Sequence, residues 1–185
     1  MRLILEGLTG TGKTQTIAAM RRLGRLPPIF EPEEKTFGDV MDEIASGGAS
    51  DAEHLLRRLR SVLGRLAAAP GTPFLLERFH PSYYALLPTW SLYEAIDEQL
   101  AAMGASIVLL TVAAGELRDR CLWRREHGGA DWQDFATRFG SEQNALDALR
   151  VSQERRVEVL RHSRLPSVTI DTSQMAWEGY ALSMT

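Results

Sequence analysis

The sequence predicts an α/β fold with a mostly parallel sheet, and three observations support that prediction. Short apolar runs bounded by turn residues alternate along the chain with longer segments of helical periodicity. Runs that are apolar without polar alternation are typical of parallel strands buried on both faces. Polar residues follow most of these runs, as expected if the carboxyl ends of the strands form a ligand-binding edge.

The candidate elements follow from these patterns. Five apolar runs predict strands at residues 3–5, 28–30, 73–76, 106–112 and 167–170. Helical patterns occupy residues 13–23, 51–69, 83–103, 115–126 and 142–161. A chain of 185 residues with strands and helices in alternation is expected to form a single domain over residues 1–185.

The composition is that of an ordinary globular protein, 44% hydrophobic and 24% charged. A formal net charge of −3 gives no general electrostatic reason to expect a nucleic-acid or membrane partner. The single cysteine, Cys121, excludes an intrachain disulfide and fits a reducing compartment. No stretch approaches the roughly 20 apolar residues that a membrane span needs, and the first apolar run is too short for a signal peptide. We therefore expect a soluble, cytoplasmic protein.

A phosphate-binding motif joins the first strand to the first helix. Residues 7–14 satisfy the pattern G-x-x-x-x-G-K-[ST], in which glycines let successive backbone N–H groups point at phosphate oxygens. Lys13 is expected to reach the outer phosphates of ATP, and the Thr14 hydroxyl to hold Mg²⁺. The predicted nucleotide-binding residues are Gly7, Thr9, Gly10, Thr11, Gly12, Lys13 and Thr14.

Two further strands end in acidic residues that suit phosphoryl transfer. Glu77, at the end of the third strand, is a candidate ligand of Mg²⁺, and the adjacent Arg78 is a candidate cation for the reacting phosphate. The alternative for this pair is a surface ion pair. Asp171 follows the fifth strand and is a rival metal carboxylate, but its position favours contact with the nucleotide base.

Glu31 is the candidate general base. It follows the second strand and precedes Pro32, which favours an extended conformation at Glu31 and ends the strand there. A carboxylate at this edge of the sheet, near the phosphate loop, suits the removal of a proton from a substrate hydroxyl. The alternative is an acidic turn, because residues 33–35 are also charged.

Four arginines crowd the helical pattern after the fourth strand, which predicts an arginine-rich lid at about residues 115–130. On a helix, Arg120 and Arg124 share one face, whereas Arg118 and Arg125 lie roughly opposite. Arginine forks bind phosphate oxygens, so Arg120 and Arg124 are candidate catalytic residues. The alternative is a solvated helix whose arginines pair with neighbouring acids.

Taken in their order along the chain, these motifs resemble those of the deoxynucleoside kinase and thymidylate kinase group of P-loop kinases. Glu31-Pro32 is similar to the element that carries the catalytic base of the deoxynucleoside kinases, and Glu77-Arg78 is similar to their Glu-Arg-Ser element. The spacing of Arg120 and Arg124 resembles the arginine pair of their lid, and residues 170–173 resemble their adenine-side loop. The resemblance implies a three-layer fold, a five-stranded parallel sheet of order 2-3-1-4-5, a helical lid, and a homodimer as one assembly.

The chain departs from that group at three places. Phe79 stands where the nucleoside kinases have a serine, and Phe30 stands where thymidylate kinases have an arginine, which favours an unphosphorylated acceptor. The predicted helix at residues 51–69 has no glutamine to recognise a base. Aromatic side chains after Arg78 could instead shape an acceptor pocket by stacking, with core packing as the alternative. The candidates are Phe79, Tyr83 and Tyr84.

The resulting hypothesis is an ATP- and Mg²⁺-dependent phosphotransferase. Its acceptor is expected to be a hydroxyl of a nucleoside-like small molecule. One alternative keeps the chemistry and changes the acceptor to a nucleoside monophosphate, a natural product or an antibiotic. Another is a regulatory protein that binds a nucleotide and hydrolyses it slowly.

Overall fold

The computed structural model describes residues 1–38, 52–122 and 139–184. Its strands are β1 (Arg2–Gly7), β2 (Ile29–Glu31), β3 (Phe74–Glu77), β4 (Ser106–Thr111) and β5 (Ser167–Asp171). Its α-helices are α1 (Lys13–Arg22), α2 (Ala52–Ala67), α3 (His80–Leu86), α4 (Glu94–Ala102), α5 (Glu142–His162) and α6 (Trp177–Ser183). None of the described helices is both long and apolar enough to span a bilayer.

The five strands form one parallel sheet in the order β2-β3-β1-β4-β5, which confirms the predicted architecture. In register, Leu5 of β1 lies beside Glu77 of β3, and Gly7 lies beside Leu110 of β4. Glu31 of β2 pairs with Leu76, one residue before Glu77. The carboxyl ends of these strands therefore bring the phosphate loop, Glu31 and Glu77 to one edge of the sheet.

Side chains of β1 alternate between two hydrophobic cores, and this alternation creates the three layers. Ile4 faces a core that includes Leu59 of α2 and Ile96 of α4. Leu3 and Leu5 face the opposite core, which α1 and α6 cover. Because both faces of the central strands are buried, the strands are apolar throughout, which is the pattern seen in the sequence.

Two predicted helices differ from the structure. The pattern at residues 83–103 is divided into α3 and α4, because Pro88 disfavours helical geometry at Leu87 and α3 ends there. The pattern at residues 115–126 becomes two short turns, a 3₁₀ turn at Ala114–Glu116 and a π-helical turn at Arg118–Leu122. Residues 123–126 of that prediction lie outside the described residues.

The C-terminal end of the fold also departs from expectation. Helix α6 was not predicted, although Trp177, Ala181 and Met184 recur at helical spacing and pack on the core with α1. Strand β5 was expected to be buried, but it lies at the edge of the sheet, and Val168 on it is 49% exposed. A strand with a neighbour on one side only is easily left open to solvent.

A buried polar cluster joins α3 and α4 to the segment after α5. Asp97 is 1% exposed, and its Oδ1 lies 3.2 Å from Nε2 of His80 and accepts a hydrogen bond of 2.5 Å from Ser163 Oγ. Its Oδ2 accepts the backbone N–H of Arg164 at 2.8 Å. Burial raises the pKa of Asp97, but these hydrogen bonds outweigh it, so that the pKa lies below its usual 3.8.

Replacement of Asp97 by alanine should lower the free energy of unfolding by about 2–4 kcal/mol, because His80, Ser163 and the N–H of Arg164 would lose a buried acceptor. Urea denaturation would measure this loss. Glu98→Ala is the matched control and should cost about 1 kcal/mol at most, since among the described residues Glu98 makes only a surface pair with Arg164 (2.9 Å). Because the folded-state pKa of Asp97 is lowered, its contribution should persist above about pH 4 and vanish as the pH falls through that lowered value. Equal losses of unfolding free energy in Asp97→Ala and Glu98→Ala would contradict the stabilising role given to Asp97.

Candidate active site

The phosphate loop, residues 7–14, has the backbone that its glycines predict. Gly7, Gly10 and Gly12 have φ angles of 147°, 91° and 90°, values that residues with a side chain rarely adopt. Gly12 caps the N-terminus of α1 in the left-handed conformation, and the helix begins at Lys13. The loop therefore presents backbone N–H groups and the positive end of α1, which is the environment that an anion prefers.

Close packing gives all three glycines a second reason for having no side chain, since a Cβ at Gly7 would overlap the backbone carbonyl of Leu110. A Cβ at Gly12 would overlap the ring of Trp177 on α6. A Cβ at Gly10 would overlap the backbone carbonyl of Arg120. The loop is thus held between the C-terminal helix and the turn after β4.

Lys13 is 5% exposed and directs its amine back over the loop. Its Nζ donates hydrogen bonds of 3.1 Å to the carbonyls of Gly7 and Leu8. Burial lowers the pKa of Lys13 to about 8, and the positive charge of Arg78 adds to that effect, whereas nearby glutamates oppose it. An anion bound at the loop would favour the protonated amine.

Glu33 links two of the predicted cations, which the sequence analysis did not anticipate. One of its carboxylate oxygens lies 3.1 Å from Nε of Arg78 and 3.7 Å from Nζ of Lys13. In the sequence, Glu33 was part of the acidic alternative for this segment. The signal that could have found it is its position two residues after Glu31, on the chain that leaves β2 at the ligand-binding edge.

Arg78 adopts an unusual backbone conformation for a residue with a side chain, with φ at 54°. The Arg78 side chain is 7% exposed, and its guanidinium donates a hydrogen bond of 2.7 Å to Oγ1 of Thr9, inside the phosphate loop. The structure therefore places Arg78 against the loop, where the sequence analysis expected a cation for the reacting phosphate.

The two predicted metal ligands occupy different environments. Glu77 is 7% exposed, and its Oε2 accepts the N–H of Glu33 at 3.4 Å. Burial raises the pKa of Glu77 above its usual 4.5, the carboxylate of Glu33 adds to the rise, and the charge of Lys13 opposes it. Thr14, at the start of α1, is exposed. Oxygen atoms of a carboxylate and a hydroxyl are ligands that Mg²⁺ accepts.

The candidate base, Glu31, is 8% exposed and paired with an arginine that the sequence analysis missed. Its Oε1 accepts a hydrogen bond of 3.1 Å from Nε of Arg65 on α2 and lies 3.1 Å from Nη2 of the same guanidinium. Within the described part of the chain, the other oxygen of Glu31, Oε2, is buried and has no hydrogen-bond partner. One oxygen is therefore fixed by a cation, and the second has a lone pair for a proton donor.

Arg120 lies beside the loop, and its predicted lid companion, Arg124, lies outside the described residues. The guanidinium of Arg120 donates to the carbonyls of Thr172 (3.0 Å) and Gly10 (3.1 Å) and lies 5.7 Å from the ring centre of Trp177. Arg118 instead forms a surface pair of 2.6 Å with Glu142. Of the two faces predicted for the arginine cluster, the face with Arg120 is at the loop.

Asp171 ends β5 and is exposed, and its Oδ1 accepts hydrogen bonds from the N–H (2.8 Å) and the hydroxyl (2.5 Å) of Ser173. These bonds hold the pKa of Asp171 below its usual value. The next residue, Thr172, touches Arg120. Asp171 thus lies on the α6 side of the loop, and its predicted contact with a nucleotide base stays a prediction.

The three aromatic candidates for the acceptor pocket are buried: Phe79 and Tyr83 are 0% exposed and Tyr84 is 3% exposed. All three belong to the hydrophobic core between the sheet and α2–α4. The Tyr83 hydroxyl donates a hydrogen bond to the carbonyl of Thr36 and so braces the segment that carries Glu33. Tyr84 packs against Trp90, Tyr93 and His162. Their contact with an acceptor stays a prediction.

Comparisons with known proteins agree with the architecture. No protein-family model and no curated protein matches the sequence. Among solved structures, YorR from Bacillus subtilis, in complex with phosphorylated GDP, has 16% identity and a TM-score of 0.65, covering 100% of this chain and 93% of its own. The fold is that of the P-loop kinases.

Two further structures with this fold are named as small-molecule kinases. Shikimate kinase from Acinetobacter baumannii, in complex with shikimate, has 16% identity and a TM-score of 0.59, with 99% of this chain and 89% of the other covered. A gluconokinase from Sinorhizobium meliloti has 18% identity and a TM-score of 0.57, with 98% of this chain and 89% of the gluconokinase covered. At such low identities the likeness shows the fold, and the function must be argued from the site.

Proposed function

We propose that the protein transfers the γ-phosphate of ATP to a hydroxyl group of a nucleoside-like small molecule. The observation that carries the proposal is the position of Glu31 relative to the phosphate loop. Glu31 lies two residues before Glu33, whose carboxylate reaches both Lys13 and Arg78. A carboxylate suited to remove a proton thus lies at the same edge of the sheet as the cations that would hold a transferring phosphate.

The residues fit Mg²⁺-ATP on structural grounds. Three glycines with positive φ form a cradle at the N-terminus of α1, and the buried amine of Lys13 lies over it. Glu77 and Thr14 offer oxygen atoms to a hard cation on the same edge of the sheet. When bound, Mg²⁺-ATP supplies the phosphoryl group and neutralises part of its charge.

The side chains then have separate tasks. Lys13 and the loop N–H groups would hold the phosphates, and Thr14 and Glu77 would hold the metal ion. Arg65 fixes one oxygen of Glu31, so the other oxygen, which no described residue contacts by a hydrogen bond, can accept the proton of the acceptor hydroxyl. Arg78 and Arg120, already against the loop, would stabilise the negative charge of the transferring group. Arg124 is proposed for the same task.

The acceptor class is the finer part of the proposal. The resemblance to nucleoside kinases supports a nucleoside, and the guanine nucleotide in the YorR complex is consistent with a ligand of that type in this fold. Phe30 in place of a phosphate-binding arginine supports an unphosphorylated acceptor. The names of the other two neighbours support the inclusion of hydroxylated acids among the compounds to be tested.

The decisive experiment follows labelled γ-phosphate from ATP, and in parallel from GTP, into a panel of acceptors. The panel should contain nucleosides, nucleoside monophosphates, shikimate, gluconate and hydroxylated antibiotics. We expect label on a nucleoside-like hydroxyl. Label on a monophosphate or an antibiotic would change the acceptor and keep the chemistry. Label in inorganic phosphate alone would favour the slow nucleotide-hydrolysing regulator.

The pKa of Lys13 predicts how nucleotide binding depends on pH. The free protein loses the proton of Lys13 as the pH rises through about 8. Phosphates interact best with the ammonium form, so the affinity for Mg²⁺-ATP should fall about tenfold between about pH 7 and pH 9. Isothermal titration calorimetry across this range would measure the fall. In the Lys13→Arg variant the side chain stays charged, so whatever its absolute affinity, the pH dependence should flatten. An identical pH profile in the variant would refute this explanation.

A further inference from the structure

A buried ion pair lies next to the phosphate loop, and neither partner has a task in the proposed reaction. Glu6, one residue before the loop, is 0% exposed, and Arg156 on α5 is 3% exposed. Nε of Arg156 lies 3.6 Å from Oε2 of Glu6. Buried charges are costly, and an apolar pair of similar volume can stabilise a fold as well or better. A functional reason for this pair is therefore worth seeking.

Hydrogen bonds connect the pair to α3, next to the turn that Arg78 and Phe79 form between β3 and α3. The Ser82 hydroxyl donates to Oε2 of Glu6 at 2.7 Å and accepts from Nη2 of Arg156 at 3.2 Å. Arg156 also donates to the carbonyl (2.9 Å) and the hydroxyl (2.6 Å) of Ser152, one turn earlier on α5. Burial lowers the pKa of Arg156 to about 10, and Glu6 opposes that fall.

The other oxygen of Glu6 holds the backbone of this turn. Oε1 accepts the N–H of Phe79 at 2.5 Å, and the N–H of Arg78 donates to the carbonyl of Leu5 at 3.0 Å. Two consecutive N–H groups are thus fixed by β1. Between them lies Arg78 with φ at 54°, a left-handed conformation that costs free energy in a residue with a side chain.

The strained backbone has a consequence for the active site. In this conformation the Arg78 side chain reaches Thr9 in the loop and Glu33 beside Lys13. An extended or helical backbone at the same residue would direct the side chain elsewhere. Strained conformations persist only where their surroundings hold them, and the acceptor for the Phe79 N–H is one of the contacts that can do so here.

We propose that Glu6, charge-balanced by Arg156, is a positioning residue that holds Arg78 against the phosphate loop. The proposal rests on the proposed function in one respect, namely that Arg78 contacts the phosphates of the nucleotide. It adds a task for Glu6, the one acidic residue within the apolar run of β1, and for the long helix α5 that carries Arg156.

The test uses two matched double variants. Glu6→Gln/Arg156→Met removes both charges and keeps an oxygen for the N–H of Phe79. Glu6→Ala/Arg156→Met removes both charges and that oxygen. Titration calorimetry with Mg²⁺-ATP should show near wild-type affinity for the glutamine variant and a loss of about tenfold to a hundredfold for the alanine variant. Thermal denaturation establishes that both are folded.

A double-mutant cycle with Arg78→Ala separates positioning from general structural support. If Glu6 acts through Arg78, the glutamine and alanine variants should bind Mg²⁺-ATP equally once Arg78 is alanine. A difference that persists in the Arg78→Ala background would overturn the proposal, as would equal affinities when Arg78 is present.

Hydrogen exchange at the Phe79 amide tests the held turn without any ligand. Exchange should be about tenfold faster in the alanine variant than in the glutamine variant, because the donor loses its acceptor. Equal exchange rates would overturn the proposal even if the protein binds ATP. If the two variants differ in exchange as expected but the wild-type protein binds no Mg²⁺-ATP, the proposed function is refuted instead.

Discussion

Replacement of Glu31 by glutamine should reduce phosphate transfer by about 10²- to 10⁴-fold while leaving the affinity for Mg²⁺-ATP nearly unchanged. Glutamine keeps an oxygen for Arg65 but cannot take a proton from an acceptor hydroxyl. The loss should be confined to the transfer step, because Arg65 fixes Oε1 of Glu31 and Oε2 has no partner among the described residues. Transfer of labelled phosphate measures the rate, and calorimetry measures the affinity.

Glu34→Gln is the matched control for this variant, since Glu34 is three residues away and exposed. It should leave the rate within about twofold of wild type, because surface substitutions away from a site have small effects. Unchanged transfer in Glu31→Gln would remove Glu31 from the mechanism. A large loss of ATP affinity would assign it to nucleotide binding instead.

Replacement of Lys13 by alanine should weaken Mg²⁺-ATP binding by about a hundredfold, because a buried ammonium group would no longer contact the phosphates. The chain has two lysines, Lys13 and Lys35, which supplies a matched control. Lys35 is exposed, and Lys35→Ala should bind Mg²⁺-ATP like the wild type. Equal affinity in Lys13→Ala and wild type, or a comparable loss in both lysine variants, would disprove a nucleotide site at this loop.

The sheet could be predicted from the sequence because its signals are local and repeated. Each buried parallel strand is a short apolar run, and the glycine-rich motif between β1 and α1 requires a strand before it and a helix after it. The order of the strands was inferred from a resemblance to known kinases, and the structure confirms that order. Pro88 lies within the helical pattern predicted at residues 83–103, and its effect on Leu87 explains why that pattern is divided into α3 and α4.

The active site was only partly predictable, because several of its contacts join distant segments. The Glu31–Arg65 pair spans 34 residues, and the Glu6–Ser82 hydrogen bond spans 76. No periodicity connects such residues, so Arg65 and Arg156 could not be chosen from among the many arginines of their helices. Glu6 was different: an acidic residue within an apolar strand is itself a signal of a buried partner.

The contact between Trp177 and Gly12 means that the last helix forms one wall of the phosphate loop. A version of the chain shortened before Trp177 would admit water behind Gly12 and leave one side of α1 uncovered. Affinity tags and fusion partners are therefore better separated from α6 by a spacer than joined directly to it.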